Sequence, residues 1–530
     1  SQAGRPKILW SFGFVNSPTI SDPQVFENCM LKSDINVLYL FFMIEAVLSW
    51  KEDNKAMILG ESMMKRRDFL AYSGSAILGG LALGNSAFAA LDSSGKKRVV
   101  LVGTGSRGSG FWGEDLLKNF SDKLEFVGLC DSNPGRLAFA KEKLGVTCPI
   151  STNFDKLLAE VKPDTIIVTT PDALHHEYII KGLNFGANVI TEKPMTTDEN
   201  KCRAILNAEK KAKGKLIVGF NYRYIGTFTK LKEMLKEEQV GKITSVDFHW
   251  YLNTSHGADY FRRWHAFRKF SGTLLVHKAT HHFDLLNWLI DSDPVEVCAY
   301  GDLEHYGKNN AFRHTHCRNC PHAECRFRWD ITKDEHYMKL YVANEQYDGY
   351  FRDACVWRNE IDIYDKMGVI IKYANNVQVT YSLTTYSPFE GWHIAFNGMN
   401  GRLETWEDLP WMDKIEVSQD QLHALQMSQE QEKDVSKYNR IIRMLNFKSH
   451  EEILVPRFRS GHGGGDIKLQ TRIFGDTTAP DPLDHAAGSR DGAMSILIGI
   501  AARESIEKKR PIKIADLVDI KPQAVRLKKA

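Results

Sequence analysis

The sequence predicts an α/β protein, with an N-terminal doubly wound parallel domain followed by an α+β domain built on a large, mostly antiparallel sheet. Three observations carry this. A short valine-rich run, Lys97–Val102, leads straight into Gly103-Thr104-Gly105-Ser106-Arg107-Gly108. Strand-like and helix-like segments then alternate to about residue 220, the pattern of a parallel sheet with helices on both faces. Beyond it, long stretches of period-two alternation take over, as antiparallel strands with one covered face require.

Each element has its own signal. Lys97–Val102 (KRVVLV) and Leu124–Cys130 (LEFVGLC) are apolar runs of the kind buried on both faces, with a helical pattern between them at Phe111–Phe120. There follow a predicted helix over Phe154–Val161, a strand over Thr165–Thr169, a helix over His175–Phe185 and a strand over Asn188–Thr191. A helix over Asn200–Lys213 and a strand over Leu216–Phe220 complete the first domain, which spans 95–220. In the second domain, 221–517, strands are expected at Thr244–Tyr251, Val295–Tyr300, Gly368–Ala374, Val377–Thr385 and Gly391–Asn397, with 518–530 as a tail.

Composition excludes some function classes. Lys and Arg number 69 against 66 Asp and Glu, a net +3 over 530 residues, so no basic footprint supports nucleic-acid binding. Nine cysteines in this length do not make a disulfide-built scaffold.

Residues 63–89 read as an export signal. Lys65-Arg66-Arg67 precedes Asp68-Phe69-Leu70, a Gly/Ala-rich apolar stretch follows, and Ala87-Phe88-Ala89 is an A-x-A cleavage site. The Arg-Arg-x-Phe-Leu core resembles a twin-arginine signal, which implies a periplasmic or otherwise exported protein with no stable membrane insertion once the signal is removed. Residues 1–62 are then expected to be a non-native extension or a misassigned start, with Met63 or Met64 the first native residue.

The glycine loop sits between a strand and a helix, and a second strand ends in Asp131. That context makes Gly103, Gly105, Ser106, Arg107 and Gly108 a pyrophosphate cradle, with Asp131 placed for the adenosine ribose. The acidic residue favours NAD, and Arg136 nearby leaves NADP as the lesser alternative.

Further motifs resemble one family. Thr170-Pro171-Asp172-Ala173-Leu174-His175, Glu192-Lys193-Pro194 and Asn221-Tyr222-Arg223 occur in order and at the right spacing for the Gfo/Idh/MocA oxidoreductases, NAD(P)-dependent enzymes acting mostly on sugars and cyclitols. The resemblance runs from about Lys97 to Leu517 and implies a Rossmann domain for the first half. It adds Thr170, Pro171, His175, Glu192 and Lys193 to the cofactor site and makes Lys193 catalytic, beside the nicotinamide and the substrate hydroxyl. The family's junction helix is recognisable in Leu274–Asp284, where His277, His281 and Asp284 are spaced for one helical face. His281 matches the family's catalytic histidine. His277 stands where the family has an aspartate, and is expected to take over its proton-handling role. Such enzymes commonly form homo-oligomers.

Substrate contacts are expected from Tyr260, Arg263, Trp264 and His265, which set aromatic and guanidinium groups side by side, and from Lys278. His462 and Asp466 belong to a glycine loop, Gly461–Asp466, similar to the H-G-G-x-D loop of NAD-dependent α-N-acetylgalactosaminidases. The reading is therefore an NAD-dependent oxidoreductase on a carbohydrate or cyclitol with tightly retained cofactor. The alternatives are a glycosidase using transient oxidation and a non-catalytic NAD-binding scaffold. Finally, Cys317, Cys320 and Cys325, with Cys355 as a fourth ligand, suit a structural zinc site; a disulfide or free thiols are the competing readings.

Overall fold

In the first domain, valine and isoleucine take up the interior of a six-stranded sheet. The strands are β1 (Lys97–Val102), β2 (Leu124–Cys130), β3 (Ile150–Ser151), β4 (Thr165–Val168), β5 (Asn188–Thr191) and β6 (Leu216–Val218), in the order β3-β2-β1-β4-β5-β6 and all parallel. Val99–Val102 and Ile166–Val168 are fully buried, as a sheet covered on both faces demands. Side-chain caps fix where the helices begin. Asn133 accepts the Arg136 N–H, Asn153 that of Lys156, and Asp198 that of Lys201, at the starts of Pro134–Leu144, Phe154–Val161 and Glu199–Glu209. Chain order reverses between β1 and β4, the crevice where open α/β sheets bind ligands.

The computed structural model describes residues 95–413, 438–458 and 460–526, with the strands Ala56–Leu59 and Ser62–Lys65, which pair as an antiparallel hairpin in a separate unit. Apart from those strands, the expected extension 1–62 and signal 63–89 lie outside the described residues.

The second domain is a nine-stranded sheet. Its strands are β7 (Ile243–Asn253), β8 (Pro294–Asp302), β9 (Lys366–Tyr373), β10 (Gln378–Ser387), β11 (Gly391–Gly398), β12 (Gly401–Glu407), β13 (Tyr438–Leu445), β14 (His450–Pro456) and β15 (Ile512–Lys513). They run β14-β13-β12-β11-β7-β10-β9-β8-β15, antiparallel except for the parallel pair β7 and β10. β9 and β10 alternate buried and less buried residues along their whole length, so one face packs on helices.

Two helices distant in sequence tie the domains together. Ser489–Lys508 is buried over most of its length, and a Cβ at Gly499 would lie 2.3 Å from the Leu275 carbonyl oxygen, so only glycine permits this approach to the junction. Ser460–Phe474 returns to the first domain, where Leu469, Ile473 and Phe474 join Val99, Leu101 and Leu129 in one core. Residues 518–526 are also held down: the Asp293 N–H donates to the Gln523 carbonyl, and Arg526 pairs with Asp293 and Asp491.

Candidate functional site

A cleft of about 1490 Å³ opens at the carboxyl ends of β1, β4 and β5 and continues across the antiparallel sheet. Gly103, Gly105, Ser106, Arg107, Asp131, Thr170, Pro171, His175, Glu192 and Lys193 all line its first half. Gly108 does not; a Cβ there would lie 2.0 Å from the Gly103 carbonyl oxygen, so this glycine lets the helix start pack on the strand end. Asp131 organises the loop: its Oδ2 accepts both the Thr104 N–H (2.7 Å) and hydroxyl (3.1 Å), and its Oδ1 accepts the Asn133 N–H (2.9 Å). His175 is clamped between the Pro194 and Thr170 carbonyls at 2.8 Å each, which joins two of the sequence motifs.

Glu192 links the loop to the rest of the site. Its Oε1 accepts from Arg107 Nε (2.7 Å) and Trp112 Nε1 (2.8 Å), while Arg107 Nη2 also reaches Asp466 Oδ1 at 3.4 Å. Asp466 in turn accepts from Asn221 (2.6 Å) and pairs with His462 Nδ1 (2.8 Å). Burial works against this carboxylate, but His462 and Arg107 overcome it and hold Asp466 well below the usual carboxylate range. His462 lines the cleft, as expected of a substrate contact; Asp466 sits behind it as the group that positions His462 and Arg107. The loop that carries them is left-handed from Gly461 to Gly464, with His462 itself at φ 49°. A non-glycine residue in that region costs about 1–3 kcal/mol, which this network offsets.

The catalytic candidates meet at the junction. Burial brings Lys193 down to about 8, opposed by the nearby Asp172 and Glu192, and its Nζ donates to the His277 carbonyl at 3.3 Å. The expected helix is interrupted for one residue at Lys278, itself in helical backbone, between Leu274–His277 and Ala279–Ile290; His277 and His281 both line the cleft. His277 Nδ1 lies 2.6 Å from Asp172 Oδ2. Burial drives Asp172 well up and His277 well down, so it disfavours separated charges on the two hydrogen-bonded groups. His281 stacks on Tyr222, with ring centroids 4.0 Å apart and planes 9° apart, and its buried Nδ1 has no hydrogen-bond partner. Burial, reinforced by Lys193 and Lys278, keeps this imidazole well below its ordinary value and therefore neutral, the form that accepts a proton. Asp284 turns away from both histidines and holds Arg223 through two bonds of 2.7 and 2.5 Å.

The far wall is aromatic and cationic. Trp264 stacks on His265 at 3.6 Å, His265 and Tyr260 each meet His277 edge-on, and Arg263 pairs with Asp259 at 2.8 Å. Lys278 Nζ donates to the Tyr222 hydroxyl at 3.1 Å beneath Trp250. Tyr260, Arg263, Trp264, His265 and Lys278 all line the cleft.

The cysteines do not form the expected zinc site. Cys317, Cys320, Cys325 and Cys355 face one small separate cavity, but all are free thiols, and no metal-ligand set of three or more His, Cys, Asp or Glu occurs among the described residues. Two of the sulfurs accept hydrogen bonds, Cys317 from Arg262 (3.0 Å) and Cys355 from the Trp357 N–H (3.4 Å), but the four do not converge as a metal-ligand set among the described residues.

Sequence reasoning passed over several groups. Asp172 was visible inside the Thr170–His175 motif, and Tyr222 inside Asn221–Arg223, but neither had an assigned role. Tyr341, Asp348 and Arg352, from the insertion between β8 and β9, carried no sequence signal, yet they line the same cleft.

Comparison with known proteins fits this geometry. Residues 97–220 match the Gfo/Idh/MocA oxidoreductase family, NAD-binding Rossmann fold, and residues 232–514 match that family's C-terminal alpha/beta domain. The chain belongs to the Gfo/Idh/MocA oxidoreductase family. Another protein with an oxidoreductase name, YteT of Bacillus subtilis (strain 168), is 35% identical over 443 residues, covering 79% of this chain and 98% of its own. An inositol 2-dehydrogenase/D-chiro-inositol 3-dehydrogenase of Lactiplantibacillus plantarum is 24% identical over 38% of this chain and 57% of its own. Among solved structures, the WlbA dehydrogenase of Bordetella pertussis, in complex with NADH and UDP-GlcNAcA, superposes with a TM-score of 0.52 at 18% identity, over 79% of this chain and 98% of that one. At that identity the Gfo/Idh/MocA fold is what is shared.

Proposed function

We propose that this oxidoreductase transfers a hydride between NAD and a carbohydrate or cyclitol hydroxyl, and that it keeps its NAD bound between turnovers, the NADH formed being reoxidised in place by the carbonyl of a second sugar or cyclitol. The observation that carries the reading is the convergence of a buried Lys193, a neutral His281 and the glycine loop in one cleft. The residues fit the dinucleotide: Gly105 faces the cleft with only the Tyr341 hydroxyl near its missing Cβ, and Asp131 stands at the neighbouring strand end. Gly103–Arg107 would hold the pyrophosphate, and Thr170, Pro171 and Glu192 would flank the nicotinamide end. NAD, when bound, supplies the hydride acceptor or donor.

In the oxidative direction the substrate C–H gives up a hydride and its O–H a proton, leaving a carbonyl. His281 takes that proton, and Lys193 as an ammonium steadies the oxygen while charge develops on it. The Asp172–His277 pair fixes the backbone carbonyl to which Lys193 donates, and so positions the amine. Trp264 and Tyr260 offer faces on which a sugar or cyclitol ring can stack. The inositol dehydrogenase relative and the structural neighbour solved with UDP-GlcNAcA support this substrate class.

Export through the twin-arginine route and assembly into a homo-oligomer belong to the same reading. The Arg66-Arg67-x-Phe69-Leu70 segment supports export, and an exported enzyme has no soluble pool to recycle NADH, which favours a cofactor carried along inside the folded protein.

The test is to denature the purified protein and assay the supernatant for nicotinamide dinucleotide, then incubate native enzyme with sugars, inositols and aryl glycosides. Released NAD together with sugar- or inositol-dependent reduction supports the proposal. Aglycone release without added NAD would replace it with the redox-neutral glycosidase. Absence of any nucleotide-dependent reaction would refute it.

A further inference from the structure

Residues 335–350 lie some two hundred positions from the glycine loop in sequence, yet they close onto it. The segment is a helix, Glu335–Leu340, followed by a 3₁₀ turn, Val342–Tyr347. Three contacts join it to the dinucleotide-binding elements. The Tyr341 hydroxyl accepts the Ser106 N–H at 3.0 Å. The Asn133 side-chain amide donates to the Asn344 carbonyl at 3.0 Å. Arg136 Nη2 donates to Asp348 Oδ2 at 2.6 Å and stands 3.4 Å from Asp131. A Cβ at Gly135 would lie 1.8 Å from Asn344 Oδ1, so the two surfaces meet only because that residue is glycine.

The segment is held in this place from its own side. Arg318 grips both oxygens of Glu345 at 2.5 and 2.6 Å, and the Asn344 amide donates to the Lys339 and Leu340 carbonyls. It therefore meets the cofactor loop as an ordered surface.

The charges at this contact bear on which dinucleotide fits. In a site that takes NADP, an arginine near the ribose accommodates the 2′-phosphate. Arg136 stands in that position, but Asp348 engages it. A phosphate monoester carries about −1.5 to −2 charges, so it would have to displace Asp348 or lie beside two carboxylates, Asp131 and Asp348. The uncharged 2′-hydroxyl of NAD meets neither penalty.

We propose that residues 335–350 form a clasp on the dinucleotide site, in which Asp348 disfavours NADP by engaging Arg136 and the cross-domain contacts slow the release of NAD. This rests on the NAD reading above and adds a specificity determinant that lies outside the fingerprint motif. The clasp has to part from Ser106, Asn133 and Arg136 before a bound dinucleotide is uncovered, so its effect falls mainly on dissociation.

The experiment uses the full chain, stripped of nucleotide. NAD and NADP affinities are read by quenching of protein fluorescence, and NAD release by chase with excess unlabelled nucleotide. Asp348→Asn should shift the NADP-to-NAD affinity ratio about tenfold toward NADP and speed NAD release. Arg136→Gln should also speed release but give no gain for NADP, because the cation that would receive the phosphate is gone; the double variant should behave like Arg136→Gln. Should Asp348→Asn not fold, the Arg136→Gln release rate still decides the clasp. Wild-type protein that binds NAD, with ratio and release rate unchanged in these variants, would overturn the clasp and leave the NAD reading intact. Wild-type protein that binds neither dinucleotide would overturn both.

Discussion

Lys193 offers the sharpest prediction, because its protonation state divides two mechanisms. Burial brings its amine from 10.5 down to about 8, which corresponds to about 3 kcal/mol of destabilisation of the ammonium relative to water. At pH 7 about nine-tenths of the amine then carries a proton, and at pH 9 about one-tenth does. If the ammonium steadies the developing oxygen charge while neutral His281 accepts the proton, kcat/KM for oxidation should fall about tenfold across that interval. His281 adds no limb between pH 6 and 9, since burial already keeps it neutral below that range. The assay is the rate at which limiting sugar reduces the bound NAD in a single turnover, followed through a constant-ionic-strength buffer series, for wild type and Lys193→Met. The variant should be slower by roughly 10²-fold and should lose the limb near pH 8, with NAD affinity nearly unchanged. A wild-type limb that rises through pH 8 would refute this division of roles and make the free amine of Lys193 the base. A limb that persists in Lys193→Met would remove Lys193 from the titration altogether.

Other outcomes follow from the same geometry. His281→Ala should slow turnover by roughly 10²-fold without changing NAD binding, and full activity in that variant would cancel its assignment as the base. Asp466→Asn removes the charge that holds His462 and Arg107, so NAD affinity measured by titration should fall about tenfold. Trp264→Ala should raise KM about tenfold with a smaller change in kcat, because a stacking wall contributes mainly to substrate binding. Asp284→Ala removes the two-bonded partner of the buried Arg223 but leaves it Asp491 at 3.0 Å, so it should cost about 1.5–3 kcal/mol in urea unfolding, while Asp284→Asn should cost less.

How far the sequence reached can be argued from particular residues. The parallel strands were legible because Val99–Val102 and Ile166–Val168 are apolar throughout, and a strand buried on both faces admits little else. The glycine loop was legible because Gly103 and Gly108 answer local steric demands, as the 2.0 Å clash awaiting a Cβ at Gly108 illustrates. Lys193 and His281 were found through motif resemblance, and the fold placed both in the expected cleft. Of the residues spaced for one helical face, His277 and His281 reach the cleft, while Asp284 is drawn to Arg223, a partner that spacing does not record. The zinc site was expected from cysteine spacing, which does not record whether the tertiary structure brings the sulfurs together as a ligand set, and among the described residues it does not.

Local sequence therefore determined which segments became strands and helices and which side chains could carry chemistry, since those choices depend on neighbours a few residues away. Only the tertiary structure decided that Asp172 meets His277 across 105 positions, and that Asp466 reaches Arg107 across 359. It alone brought Asp348 to Arg136 and returned Ser460–Phe474 to the first domain. These pairings depend on how two sheets and an insertion dock. No periodicity records that docking, because burial and charge complementarity act between surfaces formed only after the chain has folded.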